Sequence, residues 1–168
     1  LNPKLALKLS PSFTKDNREE NIKIDINNVY SLDRAVKQDA VEGGLSLTYG
    51  NEFSIFNKQN LSEVFNFKIA NNLRFKENND LPGNSQIGQK TSSILNEISY
   101  QPNKNIKIKY DSSIKNNLTD INYENLVTEF RINNLVTSFD YLNQNNSSDN
   151  ISYLTNNTKL LIDDSNTF

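Results

Sequence analysis

Apolar and polar residues alternate along most of this chain with a period of two, the pattern of a strand that buries or shields one face. The first such run has Leu5, Leu7 and Leu9 on one side and Lys4, Lys8 and Ser10 on the other, and Pro11 ends it. A long polar segment follows, from about Phe13 to Val41. The second run begins near Gly43 and sets Leu45, Leu47, Tyr49, Phe53 and Ile55 against Gly44, Ser46, Thr48, Gly50, Glu52 and Ser54. In the third and clearest, Phe65, Phe67, Ile69, Leu73 and Phe75 alternate with Asn66, Lys68, Ala70, Asn72, Arg74 and Lys76. The fourth carries Ile94, Ile98 and Tyr100, and the fifth carries Ile106, Ile108, Tyr110 and Ile114 against Lys107, Lys109, Asp111, Ser113 and Lys115. The sixth (Leu126, Thr128, Phe130, Ile132) and seventh (Leu135, Thr137, Phe139, Tyr141) are joined at Asn133-Asn134, a hairpin candidate because Asn tolerates positive φ. A less regular eighth strand is expected within Ile151–Ile162.

The connections alternate too. Long or polar ones follow strands one, three, five and seven, including the segment from Glu77 to Lys90 with its Pro82-Gly83-Asn84 turn signal. Short ones follow strands two, four and six, with Pro102-Asn103-Lys104 read as a tight turn. In an up-and-down meander this places long loops at one rim and short turns at the other, as outer-membrane barrels have them. The clear strands also reach about ten residues, near the ~9–11 that cross a bilayer when tilted. Tyr and Phe gather near strand ends (Tyr49, Phe53, Phe65, Phe75, Tyr100, Tyr110, Tyr141), which suits interfacial aromatic girdles. The expected fold is therefore all-β: an antiparallel up-and-down meander of about eight strands, part of a larger transmembrane outer-membrane β-barrel. Three polar residues, Asn71, Asn96 and Ser112, fall on the face assigned to lipid; a polar group there is costly unless paired.

Composition narrows the chemistry. The 168 residues are 35% hydrophobic with a mean hydropathy of -0.67. Such values suit a barrel wall, in which only alternate side chains meet lipid. No apolar run approaches the ~20 residues of a membrane helix. Net charge is -2, from 18 basic and 20 acidic residues, with no clustered basic field for nucleic acid. Asn is abundant, in keeping with a compositional bias towards Asn, Lys and Ile. There is no Cys and no His, which removes thiol nucleophiles, imidazole bases and Ser-His-Asp triads. Adjacent acids such as Glu19-Glu20 point to opposite faces of a strand. Neither enzymatic activity nor a cofactor is expected. No leader peptide is visible at Leu1, and Phe168 does not end an alternating apolar run.

Several short motifs add a family resemblance. NVYSLDR at Asn28–Arg34, DAVEGG at Asp39–Gly44 and LTYG at Leu47–Gly50 resemble the barrel of the lipopolysaccharide-assembly outer-membrane proteins, also called organic solvent tolerance proteins. LPGNS at Leu81–Ser85, Gln101-Pro102 and DYL at Asp140–Leu142 continue the similarity in order and spacing. The family's amino-terminal periplasmic domain has no counterpart, and its barrel has more strands, so residues 1–168 read as an interior segment of that barrel. The resemblance implies a place in the outer membrane of a Gram-negative bacterium and a part in inserting lipopolysaccharide into the outer leaflet. It also implies a plug lipoprotein and periplasmic bridge proteins as partners. A passive diffusion porin and a soluble β-rich binding module are the alternatives.

Two residue sets follow as candidates. Lys68, Arg74, Lys76, Lys107, Lys109 and Lys115 fall on the lumen face, where they either line a wet channel among Glu97, Asp111 and Glu129 or guide phosphates of the lipid. Ser31, Asp33, Arg34, Glu42, Gly43 and Gly44 form a candidate ordered loop, held by an Asp33–Arg34 or an Arg34–Glu42 ion pair, with the glycines permitting tight turning.

Overall fold

The computed structural model describes residues 1–11, 14–18, 23–32, 34, 42–145 and 150–161. It contains eight strands: β1 (Asn2–Ser10), β2 (Gly44–Phe56), β3 (Glu63–Arg74), β4 (Ile94–Asn103), β5 (Ile106–Ile114), β6 (Ile121–Ile132), β7 (Leu135–Asn145) and β8 (Asn150–Leu160). Every strand pairs antiparallel with its neighbour in the chain, in one sheet of order β1 to β8. The expected meander is therefore present, including the irregular eighth strand. The sheet is open, with β1 and β8 at its edges.

Each boundary has a local cause. Pro11 has no N–H to donate, so β1 stops at Ser10. Gly44 takes φ 98°, a conformation that favours glycine, where the incoming chain turns into β2. Asn133 adopts φ 52° in the two-residue turn between β6 and β7. One expectation needs correcting: Pro102 and Asn103 are the last residues of β4, and the turn is Lys104-Asn105. The ladder shifts register between Tyr100 and Asn103, the irregularity at which a proline is tolerated in a sheet. Asparagine also contributes more than composition. The side chains of Asn57, Asn60, Asn103 and Asn117 accept backbone N–H groups two residues on, at 2.8–3.1 Å, closing the tight connections.

The connections at one rim span residues 11–43, 75–93, 115–120 and 146–149, and those at the other 57–62, 104–105 and 133–134. The first two long loops carry the asymmetry, since 115–120 is no longer than 57–62. Those two loops do not simply project from the rim. Their described residues fold over the inward, polar face of the sheet, where Ile24, Ile26, Val29, Leu81 and Ile87 form a small buried core with Ala70 of β3 and Leu95 of β4. Lys23 of the first loop lies 4.3 Å from the ring centroid of Tyr123 on β6. Towards the long-loop rim the inward face of the central strands is thus a packed, hydrogen-bonded layer, whereas towards the short turns it stays open, as at the exposed Lys107.

Candidate functional site

The two faces of the sheet differ in what covers them. On the outward face Leu5, Leu7, Leu9, Tyr49, Phe53, Ile55, Leu73, Tyr100, Leu126, Ile132, Leu135 and Phe139 are all exposed. The apolar residues form a slanted belt. Register links Pro3, Asn51, Ile69, Asn96, Ser112, Glu124, Asn143 and Ser152 in one row across all eight strands. On β1 the leucines at 5, 7 and 9 lie on the long-loop side of that row. On β2 and β3 the apolar residues lie on both sides, and on β6 and β7 mainly on the short-turn side (Leu126, Phe130, Ile132; Leu135, Phe139, Tyr141). From β1 to β7 the centre of the belt slides by about nine residues, which at ~3.3 Å per residue and ~4.8 Å between strands is a slope of about 45°. Strands of outer-membrane barrels tilt by ~35–45°, so a belt of constant height in a bilayer must cross them at such a slope.

Several of the polar residues on this face are paired. Asn71 donates from Nδ2 to the carbonyls of Ser92 and Ser93 at 2.9 and 3.4 Å. Asn96 Nδ2 donates to Ser112 Oγ at 2.8 Å. Glu124 accepts from the Tyr110 hydroxyl at 3.3 Å and from Asn143 Nδ2 at 3.2 Å. Pairing of this kind lowers the cost of a polar group against an apolar medium.

The inward face is built around one carboxylate. Arg34, Arg74 and Glu42 are 2, 4 and 7% exposed. Arg34 Nε donates to Glu42 Oε2 at 2.9 Å, and its Nη2 donates to Glu42 Oε1 and, at 3.0 Å, to Ser46 Oγ. Its Nη1 reaches Thr48 Oγ1 at 3.3 Å and the Val29 carbonyl at 3.4 Å. Arg74 donates from Nη2 to Glu42 Oε1, from Nη1 to the Gly43 carbonyl at 2.8 Å and from Nε to the Ile87 carbonyl at 3.1 Å. Lys8 Nζ completes the set, 2.8 Å from Glu42 Oε2. This latch joins β1, β2, β3 and both long loops. Burial alone would raise the Glu42 carboxyl, but hydrogen bonds and charge from Arg34 and Lys8 outweigh it and hold the group below its ordinary value.

Of the candidate loop residues, the structure brings Arg34, Glu42, Gly43 and Gly44 together. The Gly43 N–H donates to Thr14 Oγ1 at 2.9 Å. Ser31 is exposed, and its N–H donates to the Asn28 carbonyl at 2.9 Å. Asp33 lies outside the described residues. Sequence reading did not anticipate Arg74 and Lys8 as latch partners; register alone reveals them, since it sets Arg74 beside Ser46 and Lys8 across the same residue. It also missed Tyr30, whose hydroxyl presses against Gly50 so closely that an added Cβ would sit 2.2 Å away.

The remaining basic candidates do not form a shared phosphate site. Lys68 and Lys109 both pair with Glu97, at 2.8 and 2.9 Å, and Lys109 is 3.6 Å from Asp111. Lys115 pairs with Asp120 at the loop rim, 3.6 Å away. Lys76 and Lys107 are exposed, and neither has an ion-pair partner among the described residues. Among the described residues there is also no acidic group able to hold a metal.

Comparison with protein families decides the setting of these two faces. The family model of LPS transport system D (LptD) matches residues 19–166. The chain belongs to the LptD family. No curated protein and no solved structure matches. Membership gives the chain a role in lipopolysaccharide transport and assembly at the outer membrane, as a transport protein and not an enzyme. The exposed slanted belt is then the lipid-facing surface of a β-barrel wall, and the latch secures loops on its lumen side.

Proposed function

We propose that this chain is one sector of the outer-membrane translocon that inserts lipopolysaccharide into the outer leaflet of a Gram-negative bacterium. The observation that carries this reading is the pairing of a bare, slanted apolar belt outside with latched loops inside, in a chain matched by the LptD family over residues 19–166. The sheet leaves the backbone groups of β1 and β8 unpaired on one side, which hydrocarbon does not tolerate, so further strands close the barrel around it. Residues 1–168 are accordingly a partial barrel, completed by other strands and by a periplasmic domain. A plug lipoprotein in the lumen and periplasmic bridge proteins are its partners. The match to the LptD family favours this reading over a passive porin.

The latched loop has a structural part in it: Arg34, Glu42 and Gly44 hold the first long loop against the lumen face, setting how much of the lumen stays free. Lys107 and Lys109 line a wet, charge-mixed wall and do not draw phosphates. The test is depletion of the intact protein in cells, with lipopolysaccharide at the cell surface as the readout. Surface lipopolysaccharide falls if the reading holds; an unchanged level overturns it. Charge reversal of Lys107 alone leaves surface lipopolysaccharide unchanged, whereas a marked fall would restore the phosphate-guiding role.

A further inference from the structure

The outward face holds a concave feature between β3 and β4. The β3–β4 ladder ends at the Ala70–Leu95 pair, and beyond it β3 is joined to the segment ahead of β4 by an isolated bridge between Leu73 and Thr91. Ser92 and Ser93 are drawn inward, where Ser92 Oγ accepts the Asn72 N–H at 3.0 Å and both residues are buried. A groove of about 360 Å³ is left on the lipid side. Its walls include Tyr49, Ile69 and Ile94, and its rim on the long-loop side is made by Thr91 and Asn116.

Two amides set this groove apart from the rest of the belt. Asn51 lines it, is exposed, and its side chain makes no hydrogen bond among the described residues. Asn71 also lines it; its Nδ2 is spent on the Ser92 and Ser93 carbonyls, and its Oδ1 has no partner. On β2 the belt runs from Leu45 to Ile55, so Asn51 stands within it and not at its edge. An unpaired amide facing hydrocarbon is costly, and hydrocarbon alone cannot satisfy it. A lipid whose chain carries a hydrogen-bonding group, such as an amide or hydroxyl, satisfies Asn51 while its methylenes cover Tyr49, Ile69 and Ile94. The polar rim at Thr91 and Asn116 meets its headgroup. The volume lies at the low end of small-ligand sites, ~300–1,000 Å³.

We propose that this groove is a lipid-side seat for lipopolysaccharide, holding an acyl chain with its polar linkage against Asn51 after the lipid has left the barrel. The proposal rests on the export reading, with the long loops facing the outer leaflet. The experiment is site-specific photo-crosslinking from a benzophenone side chain at Ile94 in the intact protein in its native outer membrane, compared with the belt position Ile108 away from the groove. Ile94 yields at least several-fold more lipopolysaccharide adduct than Ile108, and Asn51→Leu lowers the Ile94 adduct without changing that at Ile108. The same comparison at Ile69 serves if the chain substituted at 94 does not assemble. Equal adducts at groove and belt positions, or adducts at Ile94 mainly to phospholipid or to a protein, overturn the seat and leave export intact. Unchanged surface lipopolysaccharide after depletion overturns export itself.

Discussion

The two ends of the sheet solve the same problem in different ways. Across β2–β4, towards the long-loop rim, the inward polar residues are sealed under two loops. Ser46, Thr48, Asn72 and Ser93 are at most 3% exposed, and their partners come from far along the chain. At the other end most of β7 is only half-buried, and every residue of β8 is exposed. There the polar side chains pair across the strands: Thr137 with Thr158 at 2.8 Å, Asn156 with Thr137 at 3.1 Å, and Ser138 with the Asn157 carbonyl at 3.3 Å. Stability in the first region depends on a few buried charges that cannot be left unmatched, and in the second on many small, water-exposed contacts. A single substitution should therefore be severe in one region and mild in the other.

The sharpest break is Glu42→Gln. It leaves Arg34 and Arg74 buried without their countercharge, and removing one partner of a buried ion pair costs ~3–5 kcal/mol. Denaturant midpoints in detergent should fall accordingly, with new protease cleavage between residues 11 and 43. The same interaction can be weakened by acid. Because the folded protein holds Glu42 below its ordinary 4.5, the latch is at full strength above that value. It is lost as pH falls below 4.5 through the depressed value, because protonation then favours the unfolded chain. The gap in unfolding midpoint between the wild type and Glu42→Gln should therefore be widest at neutral pH and narrow as pH falls below 4.5.

Gly50→Ala comes next. Its new Cβ meets the Tyr30 hydroxyl and the Ile69 carbonyl at 2.2 Å, an overpacking that costs ~1–3 kcal/mol. Pairing it with Tyr30→Ala should recover part of the loss in the same denaturant assay, since only the backbone clash remains. The smallest effect belongs to the exposed end. Thr158→Val removes the exposed hydrogen bonds of one hydroxyl, to Thr137 and Asn156, together of order ~1 kcal/mol, and should move the midpoint hardly at all. A shift as large as that of Glu42→Gln would erase the contrast between the two regions.

Strands, faces and loop asymmetry were legible because a period-two pattern is written residue by residue. The side chains at 65, 67 and 69 declare their face without reference to anything distant. The pairing of Asn96 with Ser112 was also accessible, since both fall on one face of neighbouring strands. The latch was only half legible. Arg34 and Glu42 are eight residues apart and could be paired from the sequence. Arg74 and Lys8 join them through register, which no local pattern reveals. The fold-back of the long loops had a signal that was not used: Ile24, Ile26 and Val29 are apolar residues stranded in a polar segment, and such residues seek cover. Pro102 misled because proline marks turns more often than the bulges that also tolerate it.

The central claim is that alternate residues of each strand meet lipid and lumen. Residues 1–168 hold no cysteine, so single cysteines along β6 from Glu124 to Ile132 can be labelled one at a time in the intact protein in bilayers, with any cysteine elsewhere in it replaced. Quenching by a lipid-borne quencher should be strong at 126, 128, 130 and 132 and weak at 125, 127, 129 and 131. Quenching that is uniform along the strand, or strongest at the odd positions, would contradict it.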